Sequence, residues 1–141
     1  MVPINYLAVL VAAIASMVIG SLWYGPIFGK QWVALSGMPS DKMDKAKAQG
    51  MGKAYAIAFV GSLLLSYVLA HAIVFAGSYM HVEGIKLGLT AGFWNWLGFI
   101  VPVTLGSVLW EMRPWKLWVI NISYHLVTLM LMGIILALWT V

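Results

Sequence analysis

The chain has 141 residues, of which 63% are hydrophobic and 9% charged, with a net charge of +4 and no cysteine. Soluble domains run about 45–50% apolar and about 25% charged, and a domain this small leaves much of its surface in water, so a soluble globule is excluded and lipid must be the solvent. The absence of cysteine also excludes disulfides, thiolate metal sites and cysteine nucleophiles.

A span needs about 20 apolar residues, which leaves room for four spans and one modest loop in a single integral membrane domain covering 1–141. The first span is expected from Ile4 to Tyr24. It is too long for a signal-peptide core and has no basic stretch ahead of it. Ala8, Ala12, Ser16 and Gly20 recur every fourth residue, a seam that lets another helix approach. The run ends in Trp23, Tyr24, Gly25 and Pro26, where glycine and proline stop a helix.

Residues 26–52 form the longer loop. Phe28, Lys30 and Trp32 have interfacial character, the lysine reaching toward phosphates. Ser40 is a candidate cap for a short solvated helix carrying Asp41, Lys42, Asp44, Lys45 and Lys47. The second span is expected from Lys53 to Ala76, with Ala54, Ala58, Ser62, Ser66 and Ala70 as a second small seam. The third runs Ile85–Leu109. Gly84, Gly88 and Gly92 give overlapping GxxxG spacings, continued loosely by Gly98, Pro102 and Gly106, so one face is nearly bare backbone that another helix should cover. A tight turn, Trp110-Glu111-Met112-Arg113-Pro114-Trp115-Lys116, leads to a fourth span over Trp118–Trp139. The fold class is thus an all-α four-helix membrane bundle with short turns and one longer loop.

Lys30, Lys42, Lys45, Lys47 and Lys53 lie between spans one and two, and Arg113 and Lys116 between three and four. The positive-inside rule makes both loops cytoplasmic and both termini external, in a bacterial-type cytoplasmic membrane. Because the basic residues flank apolar runs instead of forming one patch, they point to anionic headgroups and not to nucleic acid. Trp23, Tyr24, Lys30, Trp32, Trp110, Glu111, Arg113, Trp115 and Lys116 are the expected cytoplasmic-interface residues. A faint echo between Gly20–Trp32 and Gly106–Trp118 is compatible with a parallel duplication, although the registers do not match.

Several of these motifs recur in a known family. Asn5-Tyr6-Leu7-Ala8, Trp23-Tyr24-Gly25-Pro26 with Phe28-Gly29-Lys30 and Trp32, and Pro102 with Leu109-Trp110-Glu111 and Pro114-Trp115-Lys116 resemble the domain-of-unknown-function 1761 family of small multi-span membrane proteins. The resemblance covers almost the whole chain. It implies the membrane architecture and no established activity, so it supplies no functional residues.

The polar residues inside the spans are the candidates for function. On the helical rise, Asn95 lies about 15 Å from the outer start of span three and His125 about 14 Å from the inner start of span four. Both then sit near the midplane of a hydrocarbon core about 30 Å thick. Stranding either group in lipid is costly, so an Asn95–His125 hydrogen bond is expected. Pro102 cannot donate to the Gly98 carbonyl and its ring crowds that turn, which frees an acceptor at the same level. Asn121, His125, Thr128 and Met132 form a stripe at helical spacing. Trp94 and Trp96 are too deep for an aromatic belt, so at least one indole N–H should face inward. These residues either lock the bundle or line a polar path.

His71 and His125 differ in depth by roughly 13 Å, which excludes one haem between them. Met80 and His81 alone are a weak copper signal. All four acids lie in loops or at span ends, which argues against a small multidrug-type antiporter with a buried carboxylate. No nucleophile with its base, no phosphate loop and no metal-ligand spacing is present, so the expectations are no enzyme activity and no cofactor. Two functions remain: a small transport or channel-like protein with a path past Asn121, His125 and Asn95, or a non-catalytic accessory or assembly subunit. The bare faces of spans one and three add an expectation of self-association, as a homo-oligomer or within a larger membrane complex, with Gly20, Gly84, Gly88, Gly92 and Gly106 as packing positions.

Overall fold

The computed structural model describes residues 2–139. Its described residues are helical with no strand, and four helices are long and apolar enough to cross a membrane: Tyr6–Ile27, Gly52–Met80, Gly84–Leu109 and Trp115–Leu138. They follow one another as antiparallel neighbours. The second span extends past its expected end at Ala76 to Met80, where His81 adopts a left-handed conformation and stops it. Asn5 starts the first span as an N-cap, its Oδ1 accepting from the backbone of Leu7 at 3.0 Å and Ala8 at 3.2 Å.

The long loop holds two short helices, Gly29–Ser36 and Ser40–Ala48. The first was not expected. Ser40 does not cap the second: Pro39 occupies the cap position and no side chain bonds there. Met43, Ala46 and Lys47 share one face of that helix, at i, i+3 and i+4.

Proline does not simply end the first span. Trp23–Ile27 forms a π-helical turn with Pro26 inside it, and the Phe28 N–H donates to the Trp23 carbonyl at 2.8 Å. The third span has the same device just before Pro102: Trp96–Ile100 is π-helical and the Val101 N–H donates to Trp96 O. A widened turn accommodates a ring that would collide with a regular α-helical carbonyl.

Spans three and four meet at backbone contact. A Cβ on Gly88 would fall onto the Gly133 carbonyl, and one on Gly92 would sit 2.6 Å from Leu129 O. Gly133, which was not among the expected packing positions, is the reciprocal half. Gly20 packs on the Tyr124 ring. Gly84 and Gly106 are corrected. Gly84 has a positive φ and opens its span after a sharp turn, touching only Leu138 at the limit of contact, while Gly106 meets only Trp110 of its own segment.

The main core lies in the half of the bundle that carries the chain ends. Ala8, Ala12, Leu69, Ile73, Leu129 and Met132 are buried there together. The seam of span one is covered as expected through Ala8, Ala12 and Ser16, and Ser66 Oγ donates to Val9 O at 2.9 Å. Only the later half of the second seam packs. Ser66 and Ala70 are buried, whereas residues 52–58, Ala54 and Ala58 among them, are exposed. Span two therefore leans on the bundle near its end and stands clear near its start.

Candidate functional site

The bundle is hollow at the loop end, on a side to which span two contributes no wall. A cavity of about 1050 Å³ lies between the loop helices, the end of span three and the start of span four. Trp32, Val33, Met38, Met43 and Met51 form its loop-side wall, Val103, Thr104 and Ser107 the span-three wall, and Trp118, Asn121 and His125 the span-four wall. His125 is the deepest of these on span four, about 15 Å along the helix from its start. Beyond it Thr128, Leu129 and Met132 are buried, so the cavity has a closed end.

Tyr24, Asn121, Trp118, Thr104 and Ser107 are each fixed by a specific bond. Tyr24 Oη donates to Asn121 Oδ1 at 2.9 Å, which turns the amide nitrogen the other way. Trp118 Nε1 donates to Thr104 Oγ1 at 3.0 Å, and that hydroxyl donates to Ile100 O at 2.7 Å. Ser107 Oγ donates to Thr104 O at 2.8 Å. Among the described residues, neither the His125 ring nitrogens nor Asn121 Nδ2 makes a hydrogen bond. A polar group left bare in an apolar setting is costly, so these nitrogens need water or a ligand.

Span four is held by two indoles. Trp23 Nε1 donates to Ile120 O at 3.1 Å and Trp96 Nε1 to Ile122 O at 2.8 Å. Each indole belongs to the first residue of a π-helical turn, and each uses a carbonyl lone pair left over from the helix ladder. Trp96 is thus the inward indole. Trp94 is 61% exposed and points outward.

The expected Asn95–His125 bond is not made. Asn95 Nδ2 donates to Ala91 O of its own helix at 2.8 Å, and Asn95 lines a separate cavity of about 250 Å³ with Leu65, Leu69, Phe99 and Leu129. Equal depth did not fix azimuth. Trp96 faces span four, and the residue before it is turned about 100° away, toward span two. Gly98 and Pro102 are exposed and line neither cavity. Of the expected path residues, Asn121 and His125 share the large cavity, and Asn95, Trp94, Trp96, Gly98 and Pro102 lie outside it.

The interface residues divide similarly. Trp23 and Tyr24 turn into the bundle onto span four instead of outward to headgroups. Lys30, Trp110, Trp115 and Lys116 are exposed. Glu111 pairs with Arg113 at 3.7 Å, both largely exposed, and Arg113 Nη1 donates to Ser36 O at 2.9 Å, tying the loop to the turn between spans three and four.

The family described as Protein of unknown function (DUF1761) matches residues 7–137. The chain belongs to the DUF1761 family. Four apolar helices agree with the membrane character expected for this DUF1761 member. Neither the curated proteins nor the solved structures give a match to it.

Sequence reading missed Thr104, Trp118, Tyr124 and Gly133. Tyr124 packs edge-on to Tyr24, ring centroids 5.1 Å apart, and helps set the tyrosine that holds Asn121. For the loop-side wall the one available signal was the helical spacing of Met43, Ala46 and Lys47.

Proposed function

We propose that this protein is a small transport protein of the membrane whose substrate site is the hollow half of the bundle. The observation that carries the reading is the pair of unpartnered nitrogens, on Asn121 and His125, on the span-four wall of a large and mainly apolar cavity. That combination of apolar walls and a few convergent polar groups is the usual composition of a small-molecule site. The buried core beyond His125 argues against a continuous channel past Asn95. Passage would need span two to move, and its exposed first half gives it freedom to do so. The lysines and arginine of the first and third loops put the open end in the cytoplasm on this reading.

The chain lacks cysteine, so single cysteines report access without knowledge of the substrate. In proteoliposomes, Ser107→Cys and His125→Cys should both react with a membrane-impermeant thiol reagent applied from the loop side. Transport further requires that His125→Cys react, more slowly, from the opposite side. Reaction from one side only would remove the transport reading.

A second reading, an accessory subunit of a membrane complex or a homo-oligomer, is favoured by residues 52–58. Ala54 and Ala58 continue the small-residue seam onto an exposed stretch of helix, with Ala58 set across a cavity of about 350 Å³ from span one, and such faces admit another helix. Crosslinking through Ala58→Cys to itself or to a co-purifying chain would support it; a monomer with no crosslink would not.

A further inference from the structure

We infer that the cavity takes an amphiphile dissolved in the bilayer, with an uncharged, oxygen-bearing head, and that this molecule enters sideways past Val103. The inference rests on reading the cavity as the substrate site.

The route follows from exposure. Val103 is 76% exposed and yet forms part of the cavity wall, so the wall runs out onto the outer surface of span three. The first half of span two, exposed at residues 52–58, does not seal this side. A molecule already in the membrane can reach the cavity without crossing the headgroup layer.

The head follows from what the deep end offers. The Thr104 and Ser107 hydroxyls already donate to backbone carbonyls. Asn121 Oδ1 is taken by Tyr24. What remains is the Asn121 amide N–H pair and the His125 ring, which match carbonyl, ester or hydroxyl oxygen. The charged residues on the wall are Lys47 and Glu111, one of each sign, and both belong to the loop segments at the mouth. Glu111 and Arg113 share a smaller cavity with Asn121 but pair with each other at 3.7 Å, so neither is left over to hold an ionic head, and an unpaired charge inside the bundle is strongly disfavoured. The body follows from the remaining wall, where Met38, Met43 and Met51 provide flexible apolar surface suited to a chain of variable shape.

Three probes with the same dodecyl tail separate the possibilities: the glycerol monoester (neutral, ester and hydroxyl oxygens), the carboxylate and the amine. Binding to the full chain in phosphatidylcholine nanodiscs is read by native mass spectrometry. The monoester should bind saturably, one per chain, about tenfold more tightly than either charged probe, and Asn121→Leu should weaken it by about tenfold, as expected for a lost buried hydrogen bond. Asn95→Leu, in the other cavity, should leave it unchanged. Val103→Trp, at an exposed position that does not threaten folding, should slow its uptake. A charged probe that binds as well as the monoester and is still weakened by Asn121→Leu would overturn the neutral head while leaving the cavity as the substrate site. Monoester binding indifferent to both Asn121→Leu and Val103→Trp would overturn the inference and the cavity reading together.

Discussion

The Tyr24 hydroxyl and the Asn121 amide oxygen lie 2.9 Å apart, joining the end of span one to the start of span four. The bond orients the amide, because with Oδ1 occupied the nitrogen is the atom presented to the cavity. Tyr24→Phe removes the donor while keeping the ring that packs against Tyr124 and Trp32. Side-chain hydrogen bonds between membrane helices average about 0.6 kcal/mol and reach about 1.7. The expected loss of stability, measured by unfolding in mixed micelles, is within that range. A loss well above it would mean the ring had also moved.

The contact of Gly92 with Leu129 O leaves no room for a methyl group. Gly92→Ala is expected to push spans three and four apart and to cost about 1–3 kcal/mol, the usual range for overpacking. Gly98→Ala is the control, since a Cβ there meets nothing within 4 Å. Thermal unfolding in detergent should separate the two clearly. Equal midpoints would show that the helices are not in backbone contact.

Trp94 and Trp96 are near neighbours with opposite fates. Trp96→Phe forfeits the bond to Ile122 O and is expected to destabilise by up to about 1.7 kcal/mol, whereas Trp94→Phe should have little effect on an indole that is 61% exposed. Chemical unfolding of the two variants tests this. A larger loss from Trp94→Phe would reverse the assignment of the inward indole.

Arg113 holds the loop by its bond to Ser36 O, while its ion pair with Glu111 is exposed. Exposed pairs contribute about 0–1 kcal/mol. Glu111→Gln should therefore leave the loop in place, and Arg113→Ala should loosen it. Limited trypsin digestion at Lys42, Lys45 and Lys47 is the measurement, with faster cleavage expected only in Arg113→Ala. Equal rates in wild type and Arg113→Ala would show that the bond does not restrain the loop.

The four spans were legible because lipid imposes them: an apolar run of sufficient length has little alternative. The glycine contacts at Gly88 and Gly92 were legible because small residues at helical spacing mark close approach. Gly133 was hidden, since one glycine in a run of leucine and isoleucine makes no pattern. The Asn95–His125 expectation failed because helical rise gives depth and says nothing of rotation, and Trp96 took the face toward span four. The cavity could not be read from the chain, because it forms where the loop helices meet spans three and four, an arrangement with no local signature. Ala54 and Ala58 carry the same small-residue signature as the buried Ser66 and Ala70, and no local feature distinguishes them.

The π-helical turn at Trp96–Ile100 amounts to one extra residue in an otherwise α-helical segment. If the segment relaxed to a regular α-helix with that residue kept, everything after it would swing by about 100°. Thr104 and Ser107 would then no longer face Trp118 and Asn121. The aim of that wall thus depends on a surplus peptide unit being stored in one widened turn: deleting the unit, for instance at Gly98, would close the turn and leave the wall where it is, whereas tightening the turn around it would redirect the wall without altering any side chain that lines it.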